Sequence, residues 1–376
     1  MRILIAPNAF KNSIDAKEAA KAIKEGLLKS KLKCTCACFP VADGGDGTAS
    51  LLIEKLNGTI LNTKVHDPVG REIFSSFGMI DNGNTAVIEL ADASGLRLLK
   101  PEEYDPLETS TFGTGEMMVH ALDKGAKKII LGIGGSATVD GATGILKALG
   151  MRFFDAKENE LQNLPEDLVH LAAIDTSNID ERIFNTEIIV LCDVQNFLLG
   201  EQGAAKVFGP QKGATPGEVK TLEACLKKWR DVTFRQTAKD MSVINHGGAA
   251  GGVAAGLATY LQATLVNGID HFLQLTHFDE ALQNADLVIT GEGSIDEQTL
   301  QGKGPYGVAK KAKEKNLPVI ALGGKVPLLP GAALKEYFDA MLPINNEPLS
   351  PNILQQAKEN LIRTATELGN ILAIKL

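Results

Sequence analysis

The sequence predicts an α/β fold of two domains, one with a parallel sheet and one with a mixed sheet. Three observations carry that expectation. Short apolar runs recur at residues 2–6, 129–133, 188–191, 286–290 and 318–322, long enough for strands buried on both faces. Most of them run into a polar, glycine-containing loop, the arrangement of a parallel sheet whose ligands sit beyond the strand C-termini. Between 59 and 90 the pattern changes. Strand-like runs at 59–65, 73–80 and 85–90 are separated by Asp67-Pro68-Val69-Gly70 and Asp81-Asn82-Gly83-Asn84, which are hairpin signals. At 376 residues the chain is also longer than a single compact domain usually is.

Taken in order, the strand at 2–6 gives way to a loop at 7–12. Asp15 and Glu18 have capping-box spacing, and Ala19, Ala20, Ile23 and Leu27 continue one helical face. Residues 33–39 alternate as a strand, which puts Cys34, Cys36 and Cys38 on one face. That face reads as a soft-metal site or as cysteine used as a small hydrophobe. The loop 40–48 precedes a helix over 49–56. After the hairpin region, the hydroxyl- and glycine-rich run 109–115 leads into a helix over 116–124. A strand at 151–154 ends at Asp155, and the strand at 188–191 enters Cys192-Asp193-Val194. A turn at 208–215 precedes a helix over 216–237 that carries the lone Trp229, read as packing. The Gly/Ala run 247–256 predicts a close-packed helix start. The strand at 286–290 feeds Gly291-Glu292-Gly293-Ser294-Ile295-Asp296, that at 318–322 feeds Gly323-Gly324-Lys325, and a helix over 353–372 ends the chain. The common style of the two ends predicts a discontinuous Rossmann-like domain, 1–80 with 284–376, and an inserted α/β domain at 81–283. Two consecutive domains are the simpler alternative.

Composition excludes several classes. Net charge is −8, the pI is near 5.4 and no long Lys/Arg run occurs, which argues against a nucleic-acid partner. No apolar run approaches membrane-spanning length. The run at 3–6 is too short for a secretory leader and is broken by Pro7 and Asn8. Five cysteines, an odd number, then point to a reduced, soluble, cytoplasmic protein.

The organising stretch is 128–144. A buried strand, then Gly132, Gly134 and Gly135, then a helix start would aim free backbone N–H groups at an anion. Ser136 and Thr138 add hydroxyls. Asp140 repels a phosphate unless a cation lies between them, so the stretch reads as a place for a phosphate with its metal. The competing reading is a tight strand–helix turn capped by Thr138 or Asp140. Acids recur in loops after strands: Asp43 and Asp46, Asp140, Asp193, Glu292 and Asp296. Mg²⁺ with nucleotide phosphates gives such acids a reason, since Mg²⁺ is held by one or two carboxylates plus phosphates. Lys11, Arg71, Lys212, Lys303 and Lys325 lie in similar loops.

The chain lacks a P-loop, His-Glu-x-x-His, Gly-x-Ser-x-Gly and Cys-x-x-Cys. One other motif competes. Gly132-x-Gly134-x-x-Ala137 opens a helix, and Asp155 closes the next strand, as in a dinucleotide fingerprint. Asp140, placed where a pyrophosphate would bind, stands against it. The reading it supports is an NAD-dependent dehydrogenase of a small hydroxy acid.

Taken together, the loops resemble the bacterial type-I glycerate kinase family. The matching stretches run in order: Ala6-Pro7-Asn8-Ala9-Phe10-Lys11, 40–48, Ala93-Ser94-Gly95-Leu96, Phe112-Gly113-Thr114-Gly115, 132–141, Cys192-Asp193-Val194, 208–215, 247–252, 290–299, and Gly302-Lys303. The resemblance implies phosphorylation of D-glycerate by ATP with Mg²⁺, in a cleft between two α/β domains, by a monomer or homodimer with no membrane partner. Phosphoryl transfer spreads charge over three oxygens, so the site must supply metal, cations and backbone donors. On that basis Gly134, Gly135, Ser136 and Thr138 suit the phosphates. Asp140, Glu292 and Asp296 suit the metal, and Arg71, Lys212 and Lys303 the substrate. Asp193, Lys11 and Asp43 suit catalysis, with Asp193 the leading base. Several positions depart from the family pattern: Asn8 stands where Asp is usual, and Ser294 where Arg is usual. The missing Arg charge must be compensated by Arg71, Lys303 or Lys212, or else the acceptor differs. A non-catalytic sugar-acid sensor on the same scaffold is the further alternative. Whether C2 or C3 of glycerate is the target is not legible in sequence.

Overall fold

The computed structural model describes residues 1–11, 13–345 and 356–374. It divides into two compact units, residues 1–43 with 267–376 and residues 44–266. The boundaries therefore fall at 43 and 267 rather than at 80 and 284. The reason is strand pairing. Residues 59–80, expected in the discontinuous unit, form two strands that continue the sheet of the other unit.

The unit of 1–43 and 267–376 is built on a five-stranded sheet. Its order is Ala340–Pro343, Val319–Lys325, Leu287–Ser294, Arg2–Ile5, Thr35–Cys38, and every pairing is parallel. Ile3, Ile5, Leu287, Ile289, Ile320 and Leu322 face helices on one side of its core. Helix Ala16–Lys29 starts where the sequence predicts, with the Asp15 side chain accepting from the Glu18 N–H at 2.8 Å. It packs on helix Ala357–Leu372 so closely that a Cβ on Gly26 would strike the Ile362 carbonyl. The first residues of the helix expected over 353–372 lie outside the described residues. Strand Thr35–Cys38 is shorter than expected, and Cys34 and Cys36 face each other, Sγ to Sγ 3.8 Å.

The unit of 44–266 holds a six-stranded sheet in the order Thr264–Asn267, Glu187–Cys192, Lys128–Gly132, Thr85–Glu89, Glu72–Ile80, Thr59–His66. The last two join as an antiparallel hairpin, and Glu72–Ile80 pairs antiparallel with Thr85–Glu89. Thr85–Glu89, Lys128–Gly132 and Glu187–Cys192 then run parallel. This is the mixed sheet the hairpin signals predict. Helix Phe112–Asp123 begins four residues earlier than expected and takes in Gly113 and Gly115. A Cβ on Gly113 would collide with the His66 carbonyl, so glycine is what lets this helix touch the strand.

Strand Arg152–Phe154 does not join this sheet. It pairs with Ala173–Asp175 in a separate ribbon. Asp155 is partly exposed, and its oxygens cap its own turn through Lys157 N at 2.7 Å and Asn159 N at 2.9 Å. The geometry of the competing dinucleotide reading, from Gly132 to Asp155, is thus not formed, because its second strand does not lie beside its first.

Candidate functional site

In the unit of 44–266, register decides what meets. Glu89 pairs with Gly132, and Gly132 with Leu191, so the three parallel strands end level. The loops that follow them, carrying Asp92, the glycine turn and Asp193, therefore leave one edge of the sheet. The loop at Gly44 joins them: Gly134 N–H donates to the Gly44 carbonyl at 3.0 Å. A Cβ on Gly44 would lie 2.9 Å from the Leu191 carbonyl. At the tip of the turn Gly135 is exposed and takes a positive φ of 71°, which suits glycine.

Behind this turn is a buried frame. Asp140 is fully buried. Its Oδ2 accepts from Thr111 N at 2.9 Å, Thr111 Oγ1 at 2.7 Å and Gly144 N at 3.1 Å, and its Oδ1 from Ala142 N at 3.2 Å. Burial raises its pKa and these hydrogen bonds oppose the rise. Asp140 is expected as a metal ligand; the structure instead gives its oxygens to the backbone of its own turn and to Thr111. Thr138 is also fully buried, its hydroxyl without a hydrogen-bond partner among the described residues, and its carbonyl is what the site uses. Lys212 donates to that carbonyl and to Ser136 Oγ, each at 2.7 Å. It is 2% exposed, so it reaches the turn from inside rather than from solvent. Burial pushes its pKa down to about 7, partly opposed by Asp140. Trp229, read as packing, is buried and does more than pack: its Nε1–H donates to the Gly141 carbonyl at 3.2 Å.

Two acids in this unit escaped sequence reading. Glu89 is buried, accepts from Ala49 N at 2.7 Å, and has its pKa pushed up to about 7 by burial and by Asp92. Asp92 is raised by burial and paired with Arg97. Asp46 stands close by, 2.5 Å from where a Cβ on Gly135 would be. The available signal was position alone: Glu89 is the last residue of its strand, as Gly132 is of its own. Asp193 directly follows strand Glu187–Cys192 and is partly exposed. Next to it the Val194 carbonyl accepts from His246 Nδ1 at 2.6 Å. Arg71 is expected to bind substrate. The structure commits it elsewhere: Nε donates to Asp67 at 2.6 Å and Nη1 to Glu103 at 2.7 Å, fastening the hairpin turn.

The unit of 1–43 and 267–376 has its own polar cluster at the corresponding strand ends. Asn8 N–H donates to the Gly291 carbonyl at 2.8 Å, which sets the loop after the first strand against the strand Leu287–Ser294. Asp43 and Glu292 are both buried. Asp43 Oδ2 accepts from Asn8 Nδ2 at 2.8 Å and from Gly304 N at 3.1 Å, at the start of helix Gly304–Glu314. Glu292 Oε1 accepts from Thr299 Oγ1 at 3.1 Å. Burial and then Asp43 push the Glu292 pKa up to about 7, while the Lys303 and Lys11 ammonium groups act against the rise. So Asp43, Glu292, Lys303 and Lys11 are brought together. Asp296 is more occupied. Its Oδ1 caps the following turn through Gln298 N at 2.9 Å, and its Oδ2 accepts from Ser294 Oγ at 3.0 Å.

Among the described residues no group of three or more His, Cys, Asp or Glu side chains is placed to hold a metal ion. A metal here needs oxygens from a ligand as well. That is the habit of Mg²⁺, which takes one or two carboxylates and completes its shell with phosphate and water. Buried hard-oxygen donors of that kind are present in Glu292 and Asp43. No helix among the described residues is long and apolar enough to cross a membrane.

Comparison with known proteins adds the relationship. The family model described as the glycerate kinase family matches residues 3–373. A glycerate kinase of Bacillus subtilis (strain 168) is 43% identical over 371 residues, covering 98% of this chain and 97% of the relative. The glycerate 2-kinase of Escherichia coli (strain K12) is 38% identical, covering 100% and 98%. A crystal structure from Salmonella typhimurium LT2 that carries a glycerate kinase 2 designation superposes with a TM-score of 0.82 at 40% identity. It covers 99% of this chain and 98% of that one.

Proposed function

Because the chain belongs to the glycerate kinase family, kinases that phosphorylate an alcohol, we propose that it transfers the γ-phosphoryl group of ATP, with Mg²⁺, to the 2-hydroxyl of D-glycerate. The choice of the 2-hydroxyl leans on the Escherichia coli relative, named glycerate 2-kinase. The observation that carries the donor side is the turn at Gly134 and Gly135, exposed at Gly135 and underlain by the Lys212 side chain through Ser136. A turn of this kind offers an anion close backbone approach and positive charge without a bulky side chain in the way.

The remaining roles follow from what phosphoryl transfer needs. Asp193, partly exposed at a strand end, accepts the hydroxyl proton. Lys11 and Lys303 supply positive charge to the acid's carboxylate or to phosphate oxygens, where Ser294 supplies none. Glu292 and Asp43 are the carboxylates suited to Mg²⁺, which when bound neutralises charge on the transferring phosphoryl group. The protein works as a cytoplasmic enzyme.

The test is incubation with ATP, MgCl₂ and D-glycerate, with enolase as the only coupling enzyme. Enolase acts on 2-phosphoglycerate, so phosphoenolpyruvate absorbance should rise at once. ADP release without that absorbance would place the phosphate on the 3-hydroxyl. NAD reduction with glycerate would support the dehydrogenase, and binding without turnover the sensor.

A further inference from the structure

Lys212 lies in the turn Pro210–Lys212, 2% exposed, with its ammonium on two neutral acceptors, Ser136 Oγ and the Thr138 carbonyl. Asp140 attracts it across space but gives its own oxygens to Thr111, Ala142 and Gly144. A buried cation without a contacting counter-charge is costly, which is why burial lowers the Lys212 pKa, and an anion arriving nearby would favour its charged form. The direction from which an anion can arrive is visible. Thr138 and Lys212 are sealed, whereas Gly134 is half-buried and Gly135 exposed, with Ser136 immediately behind them.

The Lys212–Ser136 hydrogen bond has a chemical consequence. In its charged form, which an anion arriving at the turn favours, the Lys212 ammonium only donates, so Ser136 Oγ accepts from it. That leaves the serine's own O–H to donate elsewhere. A hydroxyl that accepts from a cation is also a stronger donor, because hydrogen bonds in a chain polarise one another. Lys212 thus leaves Ser136 with a polarised O–H to donate, and adds positive charge beneath the glycine turn.

We propose that Lys212 is a positioning residue for the donor phosphate: it touches no substrate, but holds Ser136 as the hydroxyl that hydrogen-bonds the nucleotide's phosphate oxygens at the Gly134–Ser136 turn. This rests on the kinase reading above, yet the two can fail separately. Turnover of glycerate by the unmodified enzyme tests the reading. Nucleotide affinity of variants tests the inference.

The experiment measures KM for ATP, KM for glycerate, kcat and ATP affinity by calorimetry for Lys212→Met, Lys212→Arg, Ser136→Ala and the double variant Ser136→Ala/Lys212→Met. Lys212→Met should raise the KM and Kd for ATP at least tenfold while KM for glycerate stays within twofold, a split that general loss of packing would not produce. Ser136→Ala should weaken ATP comparably. The double variant should be no more than about twofold worse than the weaker single, because the two residues act in series. Lys212→Arg, which keeps a charged donor, should restore part of the affinity. An unchanged ATP KM in Lys212→Met, or a double variant as weak as the product of the singles, would overturn the proposal. If Lys212→Met fails to fold, Ser136→Ala decides: undiminished ATP affinity in that variant would overturn it.

Discussion

Asn8 Nδ2 donates to Asp43 Oδ2 at 2.8 Å, while its own Oδ1 accepts from the Ala9 N–H at 2.8 Å. The second bond fixes which way the amide faces: its oxygen is taken by a donor, so its nitrogen must point at the carboxylate. Asp43 is further held by the Gly304 N–H. The side chain at position 8 therefore acts as a clamp on a buried acid, a role for which an amide is better suited than a second carboxylate.

That clamp gives the first prediction. Asn8→Ala removes one charge-assisted hydrogen bond from a buried group, a loss of about 1.5–3 kcal/mol in such settings. If Asp43 serves Mg²⁺, the Mg²⁺ concentration for half-maximal activity should rise and kcat should fall by about tenfold or more. Asn8→Asp, which puts the residue usual in the family beside Asp43, adds a second carboxylate that a divalent cation can share, and should need less Mg²⁺ than Asn8→Ala. Titration of activity with MgCl₂ in the three proteins checks the order.

Metal dependence is the second. EDTA should abolish turnover and excess Mg²⁺ should restore it, since the buried acids Glu292 and Asp43 have a common use at neutral pH when a divalent cation is present. Full activity in EDTA would remove that use.

Glu89 provides a pH prediction. Its pKa is raised from 4.5 to about 7, first by burial and then by Asp92. Between those values the unfolded chain has already lost the proton that the folded chain keeps. Stability from this group is therefore fully present below about 4.5 and is lost as pH rises through about 7, on the order of 3 kcal/mol. Glu89→Gln stays neutral throughout. Thermal melts should show its Tm gaining on that of the unmodified protein from pH 5 to pH 7.5; parallel curves would show that Glu89 does not titrate there.

Asp193→Asn tests the base. The change keeps size and removes the acceptor's charge, and loss of a general base typically costs on the order of 10²–10⁴ in rate. If Asp193 only orients the acceptor, kcat should fall less and KM for glycerate should rise. A folded variant with most of its kcat would transfer the role to Asp43.

Much of this molecule was legible in its chain, for a local reason. Buried parallel strands are short apolar runs, the hairpins carry Asp67-Pro68-Val69-Gly70 and Asp81-Asn82-Gly83-Asn84 as turn signatures, and a cap such as Asp15 sits three residues from its partner Glu18. The ordered set of polar loops was equally local, and with it the family. What tertiary structure decided is which loop residues face solvent and which are consumed inside. Asp140, Asp193 and Asp296 look alike in sequence, each an acid in a loop after a strand. Only packing gives Asp140 four donors and seals it, while Asp193 remains partly exposed. Lys212 and Arg71 likewise read as equivalent loop cations. One is buried beneath a glycine turn that lies 76 residues away in the chain, and the other is tied to Asp67 in its own hairpin. Burial, and the pKa values and free donors that follow from it, depends on atoms brought together from distant segments. Glu89 shows the same rule: its identity as a strand-end residue is local, but its desolvation belongs to the fold.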